Sequence, residues 1–141
     1  MMNNQISVRK TLILAQPGIL RNALVSFINA MPEVRLIQCC STMREAFETA
    51  ACQEIDVLLV DMQGAGWDLS DILAKIRKTN SRINCIVIAS DPRSHEAVSR
   101  WGAYRVLQHG LLGQDLREAI LTSETELLND PTKLEFDQLI A

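Results

Sequence analysis

The sequence predicts a doubly wound α/β domain built on a five-stranded parallel sheet. Three observations carry that expectation. Short apolar runs alternate with amphipathic stretches five times along the chain. Two of those runs, Val57–Val60 and Ile83–Ala89, are apolar almost throughout, as central parallel strands covered on both faces must be. The length of 141 residues suits one domain with a substantial core.

Each element has its own local reason. Lys10–Ala15 is an apolar run ended by Gln16-Pro17-Gly18, a first strand and its turn. Over residues 18–30, Ile19, Leu20, Ala23, Leu24, Phe27 and Ile28 recur at helical spacing, and Pro32 stops the helix. Val34–Cys40 is the second strand. Thr42-Met43-Arg44-Glu45 forms a capping box, which predicts a helix to about residue 53 with Met43, Ala46, Phe47, Ala50 and Ala51 on its inner face. Val57–Val60 is the third strand, and Met62–Trp67 is a glycine-bearing loop. Residues 68–78 form a helix with Leu69, Ile72, Leu73 and Ile76 inward. After the strand Ile83–Ala89, Asp91-Pro92 starts a short helix that Gly102 ends. Tyr104–Gln108 is the fifth strand. A helix over 112–128 follows, with Leu112, Leu116, Ala119, Ile120 and Leu127 inward.

The unit is expected to span residues 1–128. The remaining 129–141 read as a linker or the start of a C-terminal output domain. The segment breaks at Asn129-Asp130-Pro131 and resumes as an amphipathic helix. It ends on Leu139-Ile140-Ala141, which suggests a chain cut short or a tail packed on a partner.

Composition narrows the function classes. Apolar residues make up 48% and charged residues 22%, a globular profile. The net charge of −3 divides into +1 over residues 1–123 and −4 over 124–141, so neither part has the basic excess of a nucleic-acid surface. No stretch reaches the ~20 apolar residues of a membrane span. The opening Met1-Met2-Asn3-Asn4-Gln5 lacks a signal-peptide pattern, so a cytoplasmic location is expected. Cys39, Cys40, Cys52 and Cys85 form no Cys-x-x-Cys pair. Adjacent strand residues point to opposite faces, so Cys39 and Cys40 are poor co-ligands for one metal. The four are read as buried thiols in a reducing compartment, and no metal site is expected.

Catalysis is not expected either. The chain has no Gly-x-Gly-x-x-Gly, no phosphate loop and no nucleophile elbow. In a doubly wound sheet, functional groups gather at the carboxyl ends of the strands. Here those ends are Ala15-Gln16, Cys40-Ser41, Asp61, Ala89-Ser90 and Gln108-His109.

Five stretches in order resemble the receiver domains of bacterial two-component response regulators, most closely the NarL/FixJ type. They are Thr11–Arg21, Asp56–Asp61, Gly66-Trp67-Asp68, Ile86–Ser90 and Trp101-Gly102-Ala103. The resemblance implies a (βα)5 receiver fold of the flavodoxin or CheY kind. It makes Asp61 equivalent to the aspartate that accepts a phosphoryl group from a histidine kinase. The rest of the implied pocket departs from the pattern. Two acidic residues that help to hold Mg²⁺ match Ala15 and Gln16. The hydroxyl residue ending strand four matches Ala89, with Ser90 one residue late. The lysine after strand five matches His109, and the switch aromatic matches Val106, with Tyr104 two positions off.

These departures have physical consequences. Mg²⁺ requires hard oxygen ligands in near-octahedral geometry, and Asp61 with a loop carbonyl such as that of Gln63 is a poor set. Without the metal, charge on a transferring phosphoryl is not neutralised. A histidine is mostly neutral near pH 7. Mg²⁺ binding is therefore expected to be weak or absent, and Asp61 either keeps a signalling role or simply accepts backbone amides. Trp67 either covers the pocket or fills a groove. Trp101 packs against the sheet edge or, if exposed, marks an interface with Tyr104 and Arg105. Arg105 also reads as part of a solvated face, and His95 is given no role.

The expected function is an atypical receiver acting in signal transduction and transcription regulation through protein contacts. Its partners would be a second copy or another protein, through residues 92–123 or through the first and last helices of the unit. A histidine kinase partner is left open, and no membrane is expected. Leu134–Ala141 resembles the opening helix of a LuxR-type helix-turn-helix, which implies DNA contact only through a C-terminal domain. The alternative is a receiver-like domain that senses a small molecule through Gln16, Asp61, Ser90 and His109.

Overall fold

The computed structural model describes residues 8–62, 67–80, 82–89, 105–108 and 113–121. Strands β1 (Arg9–Leu14), β2 (Val34–Cys40), β3 (Val57–Asp61), β4 (Asn84–Ala89) and β5 (Arg105–Gln108) form one sheet in the order β2-β1-β3-β4-β5. Every neighbouring pair is parallel. The described helices are α1 (Ile19–Asn29), α2 (Met43–Cys52), α3 (Leu69–Thr79) and α4 (Gly113–Leu121). The doubly wound expectation holds.

Two apolar clusters cover the two faces. On one face Leu24 and Ile28 of α1, and Leu116, Ala119 and Ile120 of α4, pack on Ile13, Leu59, Ile86 and Ile88. On the other, Ala46 and Ala50 of α2, and Ile72, Leu73 and Ile76 of α3, pack on Leu12, Leu14, Leu58, Val60 and Val87. The central strand β3 is buried along its whole length, which explains why it lacks polar alternation. Each fully buried Leu or Ile contributes roughly 1.5–3 kcal/mol relative to exposure.

The capping box at α2 forms as expected. Thr42 Oγ1 accepts from the Glu45 amide at 3.2 Å, and Glu45 Oε1 accepts from the Ser41 amide at 3.1 Å. The return bond thus reaches one residue further back than the usual box. Asp68 caps α3 by accepting from the Ser70 and Asp71 amides. Gly18 starts α1 at φ 158° and ψ −174° with open space around it. Its backbone shape, rather than a steric limit, favours glycine.

Three inward assignments change. Ile19 is 89% exposed, and Ala23 and Ala51 are exposed too. Leu20, Leu24, Val25, Phe27 and Ile28 make the α1 contact. Ile19 and Ala23 lie on a second stripe that continues through the exposed Ser26 and Ala30. Cys52, expected to be buried, is exposed at the end of α2, and Cys39 is only half-buried. A register shift between Thr11 and Leu12 skips Ile37 on β2. This bulge lets Val34, Leu36 and Cys39 face α1 while Ile37 and Cys40 face α2.

Several expectations lie outside the described residues. They concern the loop Gln63–Gly66, Ser90, the short helix at 91–102 with His95 and Trp101, Tyr104, His109, Leu112, and everything after Leu121, including the linker or output segment 129–141.

Candidate functional site

Three strand ends meet around Asp61. It is the last residue of β3 and is 4% exposed. Strand alternation puts its side chain on the α1 and α4 face, two residues beyond Leu59. The Met62 amide donates to the Ile88 carbonyl at 3.0 Å, which holds the chain against β4 just past the carboxylate. On one side, β1 ends and Ala15 follows it, fully buried. On the other, β4 ends in Ala89, 5% exposed and in register with Gln108. The residues at the two flanking strand ends, Ala15 and Ala89, thus carry no side-chain hydrogen-bond donor or acceptor.

Gln16 is exposed, and its Nε2 donates to the Ser41 carbonyl at 3.5 Å. The amide thus points along the β1–β2 side of the site. Arg21, in the first turn of α1, works on the same side. One Nη1 donates to Ser41 Oγ at 2.7 Å and to the Ala15 carbonyl at 3.3 Å. The Ala15 amide donates to the Cys40 carbonyl at 3.0 Å, so the Ala15 carbonyl, which points the same way, is left beyond the end of β2. The guanidinium supplies the donor that β2 no longer provides.

Arg21 and Ser41 were missed as a pair in the sequence, but a signal was present. A cation in the first turn of a helix opposes the helix dipole, and α1 has no acidic residue there. Such a residue needs another partner, and here it finds two. Ser41 is a junction. Its hydroxyl accepts from Arg21, its carbonyl from Gln16, and its amide donates to Glu45.

Trp67 is half-buried and packs with Met62 against the α2 and α3 cluster, so it fills a groove in that layer. Val106 pairs in register with Val87, and Arg105, half-buried, pairs with Ile86. Cys39 and Cys40 pack into opposite clusters. Burial raises both thiols, and the nearby Arg21 charge partly offsets this at Cys39. Full burial pushes the Cys85 thiol up to about 12.

The fit to Mg²⁺ follows from the donor set. Among the described residues the site offers one carboxylate, Asp61, beside Ala15, which has no donor, and Gln16, whose amide nitrogen is directed to Ser41. That set does not match an ion that requires several hard oxygens in octahedral array. Among the described residues no group of three or more His, Cys, Asp or Glu could hold a metal, and no helix is long and apolar enough to cross a membrane.

No family model and no curated protein matches the sequence. Solved structures do match the fold. The RcsB response regulator of Salmonella typhimurium superposes with a TM-score of 0.71 at 13% identity, over 82% of this chain and 59% of that one. The chain therefore spans about three fifths of that protein's length. The response-regulator domain of Thermotoga maritima CheB gives 0.72 at 19% identity, over 88% and 99%. A LuxR-family DNA-binding response regulator from Staphylococcus aureus gives 0.68 at 18%, over 79% and 94%. The fold is that of response-regulator receiver domains.

Proposed function

We propose that this chain is an atypical receiver that signals through protein contacts, independently of Mg²⁺-dependent aspartyl phosphorylation. One observation carries the reading. Asp61 is buried at the end of β3, the position that the resemblance assigns to a phosphoacceptor, while the strand ends beside it are Ala15 and Ala89. Phosphoryl transfer is accelerated by neutralising the charge that develops on the transferred group. The described side chains bring no cation ligand set to that place. The direction of Gln16 toward Ser41 adds support.

The module is read as non-enzymatic and cytoplasmic. Its partner is a second copy or another protein, engaged through the face around Trp101, Tyr104 and Arg105 or through α1 and α4. Residues 129–141 would lead into an output domain, and any DNA contact would belong to that domain. The small-molecule alternative draws on Gln16, Asp61, Ser90 and His109, and it has less support because the Gln16 amide is already engaged.

The test is incubation with acetyl phosphate and Mg²⁺, followed by intact-mass measurement. The unmodified mass is expected. A phosphoryl adduct that disappears in Asp61→Asn would overturn the proposal.

A further inference from the structure

We propose that Arg21 is a positioning residue that takes over the ordering role a bound cation would have at this end of the sheet. The inference extends the metal-independent reading of the site. It starts from the mismatch between the donor set and a divalent ion. The loop after β1 carries no carboxylate that a metal could gather, since Ala15 and Gln16 occupy those positions. Yet the loop is tied down. Its carbonyl at Ala15 and the hydroxyl of Ser41 share one guanidinium nitrogen, at 3.3 and 2.7 Å. Gln16 adds a bond to the Ser41 carbonyl, and Glu45 holds the Ser41 amide from the start of α2.

The consequence is a continuous link. It runs from the first turn of α1, through Arg21, to the β1 end beside Asp61, and through Ser41 to the cap of α2. Arginine suits this role because its charge is permanent and the two hydrogens of one Nη1 lie fixed in the guanidinium plane, so a single nitrogen serves both acceptors. Such a link holds the loops on the β1–β2 side of Asp61 in one arrangement whether or not Mg²⁺ is present. The output state would then be set by partners rather than by an ion at the aspartate.

Hydrogen–deuterium exchange of the full chain tests this, read on segments 15–22 and 41–46 with and without Mg²⁺. In the wild type, Mg²⁺ should slow neither segment. Arg21→Ala should speed both by about ten-fold, the loss expected for hydrogen bonds to a charged group, while β3 stays unchanged. Arg21→Lys should restore part of the protection. Unchanged exchange in Arg21→Ala, or acceleration of one segment only, would overturn the proposal. So would slowing of both segments by Mg²⁺ in the wild type. Should Arg21→Ala fail to fold, Ser41→Ala removes the shorter bond alone. It should then speed 41–46 by about three-fold, and no change would equally overturn the link. A phosphoryl adduct on wild-type Asp61 would refute the proposed function but leave the metal-free exchange result intact, so the two failures are distinguishable.

Discussion

Strand β3 is bracketed by two aspartates that do different things. Asp56, just before the strand, joins three strands at the amino end of the sheet. Its Oδ2 accepts from the Lys10 amide at 2.8 Å, its amide donates to the Lys10 carbonyl at 2.8 Å, and its carbonyl accepts from the Asn84 amide at 3.0 Å. Asp61, at the carboxyl end, is more deeply buried and has alanines at the neighbouring strand ends. The same residue type thus ties strands together at one end and, at the other, sits buried at the strand end proposed above as an altered receiver pocket. The neighbours decide the role, because a carboxylate acquires chemistry only from the donors and charges placed around it.

The comparison can be broken most strongly at Ala15. Ala15→Asp puts a second carboxylate into a fully buried position beside Asp61. It should lower stability by about 3 kcal/mol in urea unfolding, the upper part of the usual range for one substitution. A loss under about 1 kcal/mol would show that the site admits water and charge, contrary to the closed strand end described here.

At the opposite end, Asp56→Ala should cost about 1.5 kcal/mol, because the Lys10 amide loses a charged acceptor. It should leave any response at Asp61 unaltered. If Asp56→Ala instead changed the amide shifts around Asp61, the two ends would be coupled and the separation drawn here would fail. Thr42→Ala, which removes the cap of α2 beside Ser41, should cost about 1 kcal/mol, read as a shift in the urea midpoint.

The smallest effect near neutral pH concerns Cys85. Its thiol, pushed up from 9.0 to about 12 by burial, stays protonated in the fold while the unfolded chain would ionise first. The group therefore contributes stability that is complete below about pH 9 and is lost as pH rises toward 12. At mildly alkaline pH an alkylating reagent should modify the exposed Cys52 and spare Cys85 in the native state. Equal labelling of the two would mean that the lower part of β4 opens readily.

Much of the fold was legible because the strands are short apolar runs, the helices carry apolar stripes and α2 begins on a recognisable cap. Thr42 with Glu45 is readable from spacing alone. The position of Asp61 at a strand end was legible for the same reason. Ile19 was misplaced because α1 carries two overlapping stripes, and only packing decides that Leu20, Leu24, Phe27 and Ile28 face the sheet. The bulge at Ile37 had no signal, since residues on both sides of it are apolar and either phase satisfies the pattern. The Arg21–Ser41 bond joins residues twenty positions apart through a contact that depends on strand register. Periodicity could not reveal it, although a cation in the first turn of a helix was a hint.

The most direct test is a titration with beryllofluoride and Mg²⁺, followed by Trp67 fluorescence and by amide shifts of the residues around Asp61. Asp61→Asn serves as the control. Spectra that remain the same in wild type and variant are expected if the pocket no longer responds to a phosphoryl group. A saturable change in the wild type that is lost in Asp61→Asn would contradict that, and would show that Asp61 works with the neighbours it has.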